Sequence, residues 1–96
     1  MRILSKRRLL EFILTRFPNA AEPLQRWANV VRSAQWMNPG ALRADFGPAD
    51  FAGDLTVFNV GGNKYRLIAF IHYPRQTIYI KCILTHEEYD EGEWKP

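Results

Sequence analysis

A chain of 96 residues with 47% hydrophobic and 14% aromatic content can bury one core but is too short for two, so a single domain over residues 1–96 is expected. No run approaches the ~20 apolar residues of a membrane span, and the opening Met1-Arg2-Ile3-Leu4-Ser5-Lys6 lacks the apolar stretch of a signal peptide, which reads as cytoplasmic. The single cysteine and two histidines exclude an internal disulfide and a structural zinc site, while the formal charge of +3 points toward an anionic partner.

Met1 to Leu4 is a short apolar opening that suits an edge strand, punctuated by Ser5, which offers an N-cap. From Lys6 to Phe17 the residues Leu9, Leu10, Ile13, Leu14 and Phe17 recur at spacings of three and four, the pattern of an amphipathic helix with its basic residues outward. Lys6, Arg7, Arg8 and Arg16 there form either a solvated face or a phosphate or partner contact. Pro18-Asn19 ends this helix, and a second is expected from Ala21 to Ala34, with Leu24, Trp27, Val31 and Ala34 on one stripe. Residues 35–53, rich in Gly and Pro, read as a connection with one helical turn at Ala41 to Asp45, anchored by Trp36 and Phe46.

Asp54 to Val60 reads as a strand, followed by a hairpin turn at Gly61-Gly62-Asn63. The next two runs alternate. Tyr65, Leu67, Ala69, Ile71 and Tyr73 share one side of the first, and Ile78, Ile80, Cys82 and Leu84 share one side of the second. Burying both apolar sides on one core predicts Tyr73 beside Ile78, across a turn from Pro74 to Thr77. Arg66, His72, Tyr79 and Lys81 then project from the other face, interleaved with Ile68, Phe70 and Ile83. Cys82 is read as a buried structural thiol. Thr85 caps a short helix through Asp90, with Glu87 and Glu88 at its positive end, and Gly92 stops it. The expected fold is α+β in two layers, β-α-α-β-β-β-α, a helical hairpin on one face of a twisted antiparallel sheet whose other face is left to solvent.

Two stretches carry a resemblance: Val57-Phe58-Asn59-Val60-Gly61-Gly62-Asn63-Lys64-Tyr65-Arg66-Leu67 and Ile83-Leu84-Thr85-His86-Glu87-Glu88-Tyr89-Asp90, in that order. Together with Trp27, Ala44 to Phe46 and Trp94-Lys95, they resemble the HigB-type toxins of type II toxin–antitoxin modules, within the RelE/ParE superfamily. The resemblance covers almost the whole chain. It implies a RelE-like fold and an mRNA interferase acting on messages engaged with the ribosome, needing no cofactor or metal, and neutralised by a helix-turn-helix (HigA-type) antitoxin. It also implies cleavage by the RNA's own 2′-hydroxyl.

That chemistry requires a base, an acid and positive charge on the phosphorane. His86 titrates near neutrality in its unperturbed form, Arg66 presents a planar fork to phosphate, and Tyr89 lies one helical turn beyond His86. With Lys64 these are the candidate catalytic residues, and Lys81, Arg43 and Asn63 the candidate RNA-binding ones. Plainer roles stay open: His86 capping its helix, Tyr89 anchoring the core, Arg66 in a surface ion pair with Asp54 or Glu88, Lys64 solvated, His72 structural. Lys81 departs from the arginine-rich sheets of the better-known relatives, and some superfamily members poison DNA gyrase without cutting RNA. A ParE-like gyrase-directed toxin and an inert RNA-binding domain are therefore the rival readings.

Overall fold

Short apolar runs that alternate with a period of two, separated by glycine and proline turns, set up the sheet. In the computed structural model, which describes residues 1–62 and 64–95, strand β1 (Arg2–Leu4) leads into helix α1 (Lys6–Thr15), a 3-10 turn at Pro18–Ala20, helix α2 (Ala21–Ser33) and helix α3 (Pro39–Asp45). Strands β2 (Asp50–Ala52), β3 (Leu55–Val60), β4 (Tyr65–His72) and β5 (Thr77–Thr85) follow, and helix α4 (His86–Glu91) comes last. They make a five-stranded sheet in the order β1-β5-β4-β3-β2. The α+β class holds, with two corrections. The sheet is mixed, because β1 runs parallel to β5 with Ile3 opposite Ile78. The connection at residues 35–53 contains the further strand β2, paired with β3 through Phe51 and Thr56. The expected helical turn at Ala41 to Asp45 is there as helix α3, begun two residues earlier, where the Asn38 side chain accepts from the Ala41 N–H at 2.8 Å and Pro39 takes the first turn.

The helices cover one face of the sheet. Leu24, Trp27, Ala28 and Val31 of α2 and Phe12 of α1 pack with Phe58, Leu67, Ala69, Ile71, Ile78 and Ile80. Phe58 sits at the centre, its ring 5.5 Å from Trp27 and 5.0 Å from Phe46. Trp36 is held there by its indole N–H on Asp45 Oδ2 at 2.7 Å, so Trp36 and Phe46 do anchor the connection. The expected stripe of α1 is rotated. Leu10 and Leu14 are 59% and 78% exposed, while Phe12 is buried and Leu9 and Ile13 flank it. Apolar residues occupy more than one face of this helix, so spacing alone could not choose the buried one. Ser5 turns the chain sharply with φ 68 and gives no side-chain cap; its carbonyl accepts from the Arg8 N–H.

The largest departure lies in β5. Near the turn Ile71 stands opposite Ile78, two residues from the expected register, because the turn is Tyr73 to Gln76, with Gln76 at φ 50. Farther on, Ala69 pairs with Ile80 but Ile68 with Cys82, so Lys81 is an extra residue, a β-bulge. Beyond the bulge the sides exchange. Ile83 joins the helix-side core, and Cys82 and Leu84 turn to the second face with Leu55, Val57 and Ile68. Tyr89 and Trp94 pack over that group, so the second face is roofed at this end and not left to solvent. The bulge also frees the Lys81 carbonyl, which accepts from Arg8 Nη1 at 2.8 Å and covers the edge of β5 where β1 has ended. No described helix is long and apolar enough to cross a membrane.

Phe58 is 0% exposed and shares its site with three other rings. Phe58→Ala is expected to cost about 3–5 kcal/mol, whereas Leu14→Ala, at a position 78% exposed, should stay within about 0.5 kcal/mol. Urea midpoints of the two variants check both values.

Candidate active site

Arg66 stands on the second face of β4, between Asn59 of β3 and Leu84 of β5, and is only 7% exposed. A guanidinium cannot shed its proton, so burial requires acceptors around it. Nη1 donates to the Tyr65 carbonyl at 3.1 Å, Nη2 lies 3.1 Å from His86 Nδ1, and the Cζ atom is 5.5 Å from the centre of the Tyr89 ring. Since guanidinium only donates, His86 Nδ1 must be the acceptor. The imidazole therefore carries its proton on Nε2, which lies 3.2 Å from Asp90 Oδ2. A neutral ring is thus strung between a fixed cation and a carboxylate.

The placement of His86 follows from how α4 starts. Thr85 Oγ1 accepts from the Glu88 N–H at 3.2 Å and Glu88 Oε1 accepts from the Thr85 N–H at 3.0 Å, the expected capping box. The His86 N–H donates to the Lys64 carbonyl at 3.1 Å, fastening the helix start to the residue before β4. Glu88 also pairs with Arg16, just past the end of α1, at 3.1 Å. At the other end Gly92 closes the helix with φ 78, and the Trp94 indole N–H donates to the Tyr89 carbonyl at 2.9 Å while its ring stacks on Tyr89 at 5.0 Å. Spacings of three and four residues then bring His86, Tyr89 and Asp90 to one side of α4, over Arg66. Burial holds the Tyr89 phenol above its ordinary value; the charge of Asp50 and the hydrogen bond to its carboxylate push the same way, against Arg66.

Arg66, His86 and Tyr89 are thus brought together, and Lys64 sits exposed at their rim through its carbonyl bond to His86. Arg66 is buried, not the surface ion pair of the plainer reading, and Glu88 is engaged by Arg16. Lys81 is exposed at the bulge, beside the Cys82 that pairs with Ile68, two residues along β4 from Arg66. Arg43 is elsewhere: its guanidinium lies 4.9 Å over the ring of Phe51, which packs against the helix-side core. The Asn63 expectation falls outside the described residues. His72 accepts from the Arg75 N–H at 3.3 Å and serves the turn. Cys82 is half-buried in the second-face group, and burial pushes its thiol up, as suits a structural thiol. Among the described residues no group of three or more His, Cys, Asp and Glu side chains is placed to hold a metal ion.

Two members were missed. Asp90 was legible, four residues after His86 on the same short helix. Asp50 was not, since only the pairing of β2 with β3 carries it to the second face, where its charge acts on the Tyr89 phenol.

Comparison with known proteins bears on this constellation. A family model, HigB_toxin, described as the RelE-like toxic component of a toxin–antitoxin system, matches residues 20–92. The chain is similar to an "mRNA interferase toxin HigB" of Escherichia coli (strain K12), 32% identical over 78 residues that cover 78% of this chain and 75% of the relative. An "mRNA interferase HigB" of Shigella flexneri matches with the same identity and coverage. Another, of Escherichia coli O6:H1, is 31% identical over 79 residues, covering 79% of this chain and 77% of its own.

The anchoring of α4 carries a pH dependence. The Thr85 backbone N–H, and after it Arg16, hold the Glu88 carboxyl below its ordinary 4.5 despite burial. A depressed carboxylate stabilises the fold fully above 4.5, and that contribution fades as pH falls through the lowered value. Glu88→Gln should therefore lower Tm near neutrality and flatten its decline on acidification below about 4.5, read from thermal melts across the acid range.

Proposed function

This chain belongs to the HigB toxin family, RelE-like toxic components of toxin–antitoxin systems, and on that premise we propose that it is an endoribonuclease, an mRNA interferase. It acts as one domain over residues 1–96 with the RelE-like arrangement, in the cytoplasm, on messages engaged with the ribosome. A helix-turn-helix antitoxin of the HigA type neutralises it. The observation that carries the reading is the 3.1 Å approach of Arg66 Nη2 to His86 Nδ1, which lets both touch one phosphodiester.

The roles follow from the hydrogen-bond roles of each group. An RNA phosphate takes the place of the imidazole on the Arg66 fork, and Nδ1 is released as a proton acceptor. The 2′-hydroxyl gives its proton to Nδ1 and attacks phosphorus, forming a 2′,3′-cyclic phosphate. Asp90, already on Nε2, orients the ring and stabilises the imidazolium that forms. Arg66 spreads charge from the phosphorane, and the Tyr89 phenol, kept protonated beside Asp50, is positioned as a donor to the departing 5′-oxygen. His86 then returns its proton to that phenol. Lys64 adds cationic charge at the rim, and Lys81 adds it farther along the sheet.

Replacing His86 by Ala, or Arg66 by Ala or Lys, is expected to reduce cleavage by roughly 100-fold or more and to relieve growth arrest without altering the far-UV spectrum. RNA carrying a 2′-deoxy sugar at the cut site should resist the wild-type protein. Intact messages together with DNA breaks after induction would instead identify a gyrase poison. Salt-sensitive RNA binding with no cleavage on translating ribosomes would identify an inert RNA-binding domain.

A further inference from the structure

Beyond the roof made by α4 and Trp94, the second face carries a row of side chains across four strands. Leu55 stands opposite Phe70, Phe70 opposite Tyr79, and Tyr79 opposite Leu4 of β1. Leu55 is buried and Leu4 half-buried, but Phe70 and Tyr79 are 38% and 41% exposed, with ring centres 6.1 Å apart. Two adjacent rings left in water on a flat sheet face make an apolar surface with no described side chain laid across it. Its surroundings are cationic. Arg2 is exposed beside Thr77, one row toward the turn, and Lys81 is exposed at the bulge two residues beyond Tyr79. Asp54 borders the row at the turn before β3.

The row is aligned with the candidate active site. Arg66 and Phe70 lie on the same strand and face, four residues apart, which is about 13 Å along a strand. A stacked nucleic-acid strand covers that distance in about four steps at about 3.4 Å each, and an unstacked one in fewer. Flat paired aromatics flanked by cations, in line with a phosphate-binding arginine, have the chemistry of a base-stacking surface.

We propose that Phe70 and Tyr79 form a platform on which the single-stranded RNA stacks a base a few nucleotides from the bond cut at Arg66 and His86, with Arg2 and Lys81 on the flanking phosphates. The ligand class rests on the nuclease reading above. Phe70→Leu/Tyr79→Leu keeps apolar cover on both strands while removing the rings, and Phe70→Tyr keeps a ring. Binding is measured by anisotropy with a single-stranded RNA whose bases are replaced one at a time by abasic sites, and cleavage is measured with the same series placed on programmed ribosomes.

For the wild type, an abasic site at one position a few nucleotides from the cut should weaken binding about tenfold and raise KM more than it lowers kcat. The double leucine variant should show the same loss on the intact strand and no further loss on the abasic one, and Phe70→Tyr should behave as wild type. Equal binding and cleavage by the double variant would overturn the platform, as would an equal loss on intact and abasic strands, which places the contact on the backbone. Unchanged RNA recognition with loss of a co-expressed antitoxin would make the row a protein interface and overturn it also. RNA bound with base dependence but never cut on programmed ribosomes leaves the platform standing and removes the nuclease reading; a wild type that neither binds the free strand nor cuts on programmed ribosomes removes both.

Discussion

Strand β5 must serve two cores at once, and the extra residue Lys81 is what allows it. A strand has side chains on alternate sides, so an unbroken β5 would send Ile78, Ile80, Cys82 and Leu84 together toward the helices. The bulge resets that alternation halfway along: Ile83 completes the helix-side core, and Cys82 and Leu84 are released to the group beneath Tyr89 and Trp94. Without that second group α4 would have no apolar surface to rest on. The same irregularity leaves one carbonyl unpaired, and Arg8 takes it, tying α1 to the exposed edge of the sheet.

On this base a permanent cation is buried. Arg66 lies under α4 with its donors directed at a carbonyl and an imidazole and its face toward a phenol ring. The arrangement determines the state of its neighbours without further devices. A guanidinium opposite Nδ1 forces the neutral His86 tautomer with Nε2–H toward Asp90. Burial, and after it the charge of Asp50, raise the Tyr89 phenol above its ordinary value. The His86 side chain nonetheless stays 48% exposed above the buried guanidinium.

A helix of six residues has little stability of its own. Its position depends on its own Thr85–Glu88 capping box and on three other parts of the chain: the Lys64 carbonyl, Arg16 at the end of α1 and the Trp94 indole. Three of these four contacts act within one turn of its start, which is why His86 is the best-located member of the site. The second face of the sheet and the helical layer are consequently tied through Arg16, whose guanidinium also lies over the rings of Phe12 and Phe17.

Local patterns carried most of the elements. The stripe of α2, the strands β3 to β5, the capping box at Thr85 and the stop at Gly92 all follow from spacings within a few residues, and the structure has them where those spacings place them. Arg66, His86 and Tyr89 were likewise recognisable, from residue chemistry and from two motifs. What was hidden depended on long-range choices. Whether Leu10 or Phe12 of α1 faces inward, whether β1 pairs parallel, where β5 bulges, and which carboxylate reaches Tyr89 each require two distant segments to be set against one another. Periodicity states that a strand has two sides; only the competition between two cores for the same apolar residues decides which side each one takes.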